Sequence, residues 1–325
     1  MKAVAFDQPG GYDKLRVVER PRPVPTDGQV LLKMHAAAVN PLDDVVRAGQ
    51  FPLAKQPPLV LGNEGVGVVV EPGSSPFAPG TPVMVSGPYG VLQDGTWQEY
   101  ILAQPQELAP VPDGISDAEA AGVPIAHLTA QLALTATGGF VPGKTVLVPG
   151  VGGAVGNAAV QLARAQGAAR VITSAGSAQK AERARGAGYA DVIDLTQESL
   201  SAGVARLTGG GGVDLAIDSI GGHITGEALT ALGQGGTLVT LGYPAGTQAS
   251  INVTDLIWKA TRVVGFNLFA QPPETVAEAY AAILSLLAEG RIKPLVARTF
   301  SLDEAAAAQR YLSEERPFGK VVLTI

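Results

Sequence analysis

The residues whose type and spacing most directly suggest chemistry are Gly150-Val151-Gly152-Gly153-Ala154-Val155-Gly156. An apolar run, Val146-Leu147-Val148, enters this segment and an Ala-rich stretch leaves it. That is the strand–turn–helix setting of a dinucleotide phosphate loop. Gly150 would permit the tight turn, and Gly152 or Gly153 would let the backbone approach a pyrophosphate. Gly156 would let the helix pack closely on the strand. The helix amides and dipole, from Ala154 and Val155 onward, would face the phosphates. The spacing reads either as G-x-x-G-x-x-G or as G-x-G-x-x-x-G, and both glycine assignments stay open.

The stretch after the next strand bears on cofactor type. An NAD site usually places a carboxylate about 20 residues after the loop to bind the ribose diol. Here Arg170-Val171-Ile172-Thr173-Ser174-Ala175-Gly176-Ser177 has none. Ser174, Ser177, Lys180 and Arg183 offer donors and positive charge instead, which suits a 2′-phosphate. The expected cofactor is NADPH.

These residues need elements to hold them. From about residue 117, Ala/Leu-rich helical stretches alternate with Val/Ile-rich runs at 146–148, 170–173, 191–193, 213–218, 237–241 and 263–266. Such alternation implies an α/β fold with a parallel, doubly wound sheet. Before residue 120 the chain is strand-rich, with runs at 30–36, 65–71 and 81–85 between Gly/Pro turns, which suggests a compact β-barrel. The tail reads as helices at 275–289 and 302–312 and a last strand at 321–325. The expected organisation is a barrel domain of residues 1–122 and 266–325, with a cofactor domain of residues 123–265 inserted into it.

Bulk properties narrow the class. The 325 residues carry net charge −6 with no Lys/Arg cluster, which argues against a nucleic-acid binder. Cys is absent, which removes disulfides, thiolate nucleophiles and cysteine-ligated zinc. No apolar run approaches the ~18 residues of a membrane span, and the expected location is the cytoplasm. No Gly-x-Ser-x-Gly elbow occurs, which disfavours a Ser-His-Asp hydrolase.

A set of segments in order along the chain resembles the medium-chain dehydrogenase/reductase superfamily. Within it, the likeness is to zinc-free quinone oxidoreductases of the zeta-crystallin type. The segments are Asn40-Pro41-Leu42-Asp43, Gly62-Asn63-Glu64-Gly65-Val66-Gly67, Gly95-Thr96-Trp97-Gln98-Glu99-Tyr100 and Leu128-Thr129-Ala130. The glycine loop, Ser174 to Lys180, Asp218-Ser219-Ile220-Gly221 and Gly319-Lys320-Val321-Val322-Leu323 complete the set.

The resemblance implies a GroES-like catalytic domain, a six-stranded Rossmann domain, NADPH and a homodimer built through cofactor-sheet edges. It implies cofactor contacts at Thr129, at Gly152 to Val155, at Ser174 and Lys180, in Phe266-Asn267-Leu268-Phe269, and at Lys320 near the phosphates. Contacts are further expected at Asn40, Ala175, Ser177, Ser219 and Gly242. Two positions depart from the pattern: Leu195 stands where a Tyr often packs near the 2′-phosphate, and Val46 where some relatives have a pocket Tyr.

In zinc-containing relatives a Cys and a His stand where this chain has Asn40 and Asn63. His35, His127 and His223 share no ligand spacing, so no metal is expected. Metal-free hydride transfer suits acceptors that are already electrophilic, a quinone or an α,β-unsaturated carbonyl, whose developing oxyanion needs hydrogen-bond donors. Asn40 is the candidate donor; it can equally cap the loop before Pro41, and the two roles are compatible. Glu64 reads either as a polar or proton-relaying group or as a buried carboxylate joining two loops, the second being preferred. Tyr89 and Tyr243 are candidate pocket residues, and Asp218 a loop cap. The alternatives to a quinone or enone reductase are an enoyl reductase or redox-neutral tailoring enzyme of a biosynthetic pathway, and a non-catalytic NADPH-binding protein.

Overall fold

The computed structural model describes residues 1–26 and 28–325. The chain divides into two compact units, Met1–Ile125 with Pro294–Ile325, and Ala126–Lys293. The second unit is thus inserted in the first.

The first unit is a GroES-like β structure. In its larger sheet, neighbours run Val296–Ser301, Lys320–Thr324, Val30–Val39, Glu64–Glu71, Pro82–Ser86 and Leu108–Pro110. Tyr100–Ala103 pairs with Val30–Val39 from the side. A smaller sheet joins Arg16–Glu19, Lys2–Phe6 and Leu59–Val60. The alternation of buried and exposed residues is weak in Val30–Val39 because both of its faces are covered. One core gathers Phe6, Val46, Leu61, Trp97, Phe300 and Leu323; a second gathers Leu32, Met34, Val69, Val85, Tyr89 and Ile101.

The second unit is a parallel six-stranded sheet in the order Asp191–Asp194, Arg170–Ala175, Thr145–Val148, Val213–Asp218, Leu232–Thr240, Arg262–Gly265. In chain order this is 3-2-1-4-5-6, the doubly wound arrangement whose direction reverses between the first and fourth strands. Its core includes Leu147, Ile172, Ile193, Ala216, Leu229 and Leu238, with Leu195 packed against it.

The second crossing between units falls at Lys293, not at the expected 265/266. Helix Pro273–Ala288 falls in the cofactor unit, and its apolar stripe of Ala279, Ile283, Leu286 and Leu287 is buried. The segment after it is tied to the loop-bearing helix. Arg291 donates to Ala165 O, and Lys293 N to Gln161 Oε1 at 2.7 Å. Amphipathicity marks a helix as docked but does not name the surface it docks on.

Candidate active site

In the second unit the phosphate loop leaves strand Thr145–Val148 and enters helix Ala154–Ala165, with Gly153 as its N-cap. Gly150 has φ +78° and sits against Ile220: a Cβ here would lie 2.6 Å from Ile220 Cδ1. Ile220 follows the fourth strand, so the loop stands at the sheet's switch point, where such folds bind their ligands. Gly156 lets the helix settle on the loop, since a Cβ there would lie 2.3 Å from Gly150 O. Gly153 tolerates a Cβ, whose nearest neighbour would be Gly150 O at 3.5 Å. The turn and packing glycines are therefore Gly150 and Gly156. Gly152, Ala154 and Val155 are half-buried and Gly153 is exposed. The first amides of a helix have no intrahelical acceptors and are available to an anion.

The other expected cofactor residues of this unit fall mostly at the carboxyl ends of neighbouring strands. Ser174 and Ala175 end the second strand, Ser219 follows the fourth, Gly242 the fifth, and Phe266 and Leu268 the sixth. Ser177 is the N-cap of helix Ala178–Gly186; its hydroxyl accepts from Lys180 N at 3.3 Å. Ser174 also has a role within the chain. It is buried, and its hydroxyl accepts from Gly150 N at 3.2 Å, so it braces the loop. Asp218 caps its loop as expected, accepting from Ile220 N, Gly221 N and Thr225 Oγ1. Thr129 is buried on helix Pro124–Leu132, and Tyr243 is half exposed.

The first unit holds a buried polar cluster. Lys320 Nζ lies 2.5 Å from Glu64 Oε1 and donates to Asn40 Oδ1 at 2.6 Å. Asn40 Nδ2 donates to Asn63 Oδ1 at 2.7 Å and to Glu64 Oε1 at 2.8 Å. Glu64 Oε2 accepts from Ile125 N at 2.7 Å, in the first turn of helix Pro124–Leu132, where a carboxylate is favoured. Glu64 is 0% exposed and Lys320 5%. Strand register explains the convergence. Val321 pairs with Val39 and Ala37 with Gly65, so Lys320, Asn40 and Glu64 lie at the same end of three adjacent strands.

Asp43 was legible in the motif but carried no expected role. Its carboxylate accepts from Asn40 N at 2.7 Å and from Gly62 N at 3.1 Å, clamping the two segments that carry the cluster. Burial pushes its pKa up to about 7, against the pull of the two amides and the Lys320 charge; Glu64 adds to the rise. The signal for it was the acid three residues after an Asn N-cap. Asp43 N is bonded to Asn40's backbone oxygen at 3.0 Å, which leaves the Asn40 side chain to the cluster.

One expectation, that for Tyr89, is corrected here, and two further residues are found committed to one another. Both donors of the Asn40 amide are committed to Asn63 and Glu64. Lys320, expected near phosphates, is held in the carboxylate–amide cluster. Tyr89 is not a pocket residue: it is 1% exposed in the barrel core, with its hydroxyl bonded to Glu107 and to Leu102 O. Burial and the Glu107 charge raise its pKa far above the phenol range. Val46 is likewise core. Glu64 accepts from the Ile125 amide and pairs with a cation.

A chain that carries both a dinucleotide loop at a switch point and a GroES-like unit defines a class, that of two-domain nicotinamide-dependent oxidoreductases. Comparison narrows it. Residues 26–113 match the alcohol dehydrogenase GroES-like domain, and residues 154–287 the family described as zinc-binding dehydrogenase. Quinone oxidoreductase-like protein 2 of Bos taurus is 32% identical over 94% of this chain and 87% of its own length. The pikromycin polyketide synthase component PikAII of Streptomyces venezuelae is 32% identical over 92% of this chain, which spans 8% of that protein. The structure of Escherichia coli quinone oxidoreductase complexed with NADPH superposes with TM-score 0.89 at 28% identity, covering both chains fully. This chain belongs to the medium-chain dehydrogenase/reductase superfamily, in its zinc-free, quinone-oxidoreductase-like branch.

The zinc of the family description does not fit these residues. Among the described residues no group of three or more His, Cys, Asp or Glu could hold a metal. Asn40 and Asn63 are neutral amides bonded to each other beside an ammonium group. Such a set lacks the imidazole or thiolate donors that zinc requires.

Proposed function

We propose that the protein is an NADPH-dependent, metal-free reductase of quinones or α,β-unsaturated carbonyl compounds. The observation that carries the reading is the Asn40–Asn63–Glu64–Lys320 network. It joins fixed amides to one buried cation, and the amides Asn40 and Asn63 stand at the positions that the resemblance matches to a Cys and a His of zinc-containing relatives. A preorganised polar group of this kind suits charge developing on a carbonyl oxygen. The reduced nicotinamide, when bound, supplies the hydride. The glycine loop would hold the pyrophosphate through the amides of Gly152 to Val155. Ser177 and Lys180, with no carboxylate in the stretch 170–177, favour a 2′-phosphate. The test is loss of NADPH absorbance when the purified protein is given 1,4-naphthoquinone or an alkenal. Failure to bind NADPH at millimolar concentration would overturn the reading.

The likeness to a polyketide synthase segment favours a second reading, reduction of an enoyl thioester. Turnover of a crotonyl thioester with none of quinones or alkenals would select it.

The assembly is proposed to be a homodimer. Among the described residues Arg262–Gly265 is an edge strand, paired only with Leu232–Thr240, and Val263, Ile257 and Trp258 near it are exposed. Apolar side chains beside an open strand edge suit pairing with a second copy.

A further inference from the structure

We propose that Asn63, oriented by Lys320 through Asn40, is the hydrogen-bond donor to the acceptor's carbonyl oxygen. This rests on the reductase reading and names the residue that serves it.

The hydrogen-bond chemistry of the cluster leaves one solution. An ammonium only donates and a carboxylate only accepts. Lys320 Nζ therefore fixes the Asn40 side-chain oxygen toward itself, at 2.6 Å. The Asn40 amide nitrogen then points the other way, and both its hydrogens go to Glu64 Oε1 and Asn63 Oδ1. Asn63 must present its oxygen to Asn40, so its own Nδ2 points away from the network. Among the described residues that nitrogen has no protein acceptor. Asn63 as a whole is 1% exposed. A nearly buried amide whose oxygen is held by the network and whose NH2 is not spent on it is the arrangement an oxyanion donor requires.

The cluster thus works as an oriented chain of amides. The Lys320–Glu64 pair sets its direction, Asn40 transmits it, and Asn63 delivers the donor. As hydride forms the new C–H bond, the π electrons of the conjugated system move onto the carbonyl oxygen. Asn63 would hydrogen-bond that oxygen without giving up a proton, and water would protonate the resulting enolate. For a quinone, a proton then passes from the new CH2 carbon to water while water protonates oxygen, which gives the hydroquinone. Lys320, Glu64 and Asn40 are positioning residues in this scheme.

The test uses 4-nitrophenol as an oxyanion probe, bound to the full chain with oxidised cofactor, with its phenolate absorbance followed against pH. The wild-type protein should lower the probe's apparent pKa on binding, and Asn63→Ala should return it to the free value. Asn63→Ala should also cost about 10²–10³-fold in kcat on naphthoquinone, with NADPH affinity within twofold of wild type. Lys320→Arg should retain most of the probe's shift, whereas the double variant Lys320→Met/Glu64→Gln should lose it although it carries no unpaired charge. A probe shift that survives in Asn63→Ala, or a kcat within threefold of wild type, would overturn the assignment and leave the reductase reading intact. An Asn63-dependent shift with no acceptor reduced would do the reverse.

Discussion

Asp43 Oδ1 accepts a hydrogen bond from the Gly62 amide at 3.1 Å, bridging 19 residues of sequence. The other oxygen takes the Asn40 amide at 2.7 Å. One buried carboxyl group thereby sets the spacing between the segments that carry Asn40 and Asn63.

A pH dependence of stability follows. Folding raises the Asp43 pKa from 3.8 to about 7. Between those values the folded state keeps a proton that the unfolded chain releases. Its contribution is therefore complete below pH 4 and is lost as pH rises toward 7, with a slope of up to about 1.4 kcal/mol per pH unit. Asp43→Asn should flatten that part of the curve in thermal melts from pH 4 to 7. It should also lower Tm, because the amide offers only one acceptor oxygen for two backbone donors.

The Lys320–Glu64 pair should behave as a unit. Removing either charge strands the other in a fully buried site, at a cost of about 3–5 kcal/mol. Lys320→Met and Glu64→Gln alone should each lower stability in urea unfolding. The double variant should recover much of the loss, so that the two effects are strongly non-additive. Additive losses would show that the pair is not coupled.

The loop glycines should respond unequally. Gly156→Ala puts a Cβ 2.3 Å from Gly150 O and should both lower Tm and abolish NADPH binding. Gly153→Ala meets nothing closer than 3.5 Å and should leave Tm within about 2 °C of the parent. Fluorescence titration with NADPH and a melt of each variant decide this.

Cofactor preference should depend on Lys180. A charge-assisted contact with a 2′-phosphate contributes about 1.5–3 kcal/mol. Lys180→Ala should therefore weaken NADPH binding about tenfold or more while leaving NADH affinity within threefold. Equal losses for both cofactors would remove the residue from 2′-phosphate recognition.

Association should depend on the open sheet edge. Ile257 and Trp258 are 68% and 77% exposed, beside strand Arg262–Gly265. Ile257→Glu with Trp258→Lys should convert a dimer to a monomer in light scattering, without loss of helical signal. A wild-type monomer at all concentrations would remove the dimer.

Much of the second unit was legible from local pattern. Short β-branched runs alternating with Ala-rich helices imply the parallel sheet, and the loop's glycines announce a nucleotide. The absence of Cys and the amides at positions 40 and 63 fit poorly with zinc. These are matters of residue type, periodicity and short spacing, which adjacent residues settle among themselves.

The cluster was not legible in that way. Lys320 and Asn40 stand 280 residues apart. Only the pairing of Val321 with Val39 brings them side by side. The same holds for Tyr89, whose type suits a pocket equally well but which packing placed in the barrel core, and for helix Pro273–Ala288, whose stripe could have docked on either unit. Sequence alone determined the class of fold and the dinucleotide loop. Tertiary structure decided which polar groups are spent on one another, because a hydrogen bond is directional and its partners are fixed only when strands from distant parts of the chain take up register.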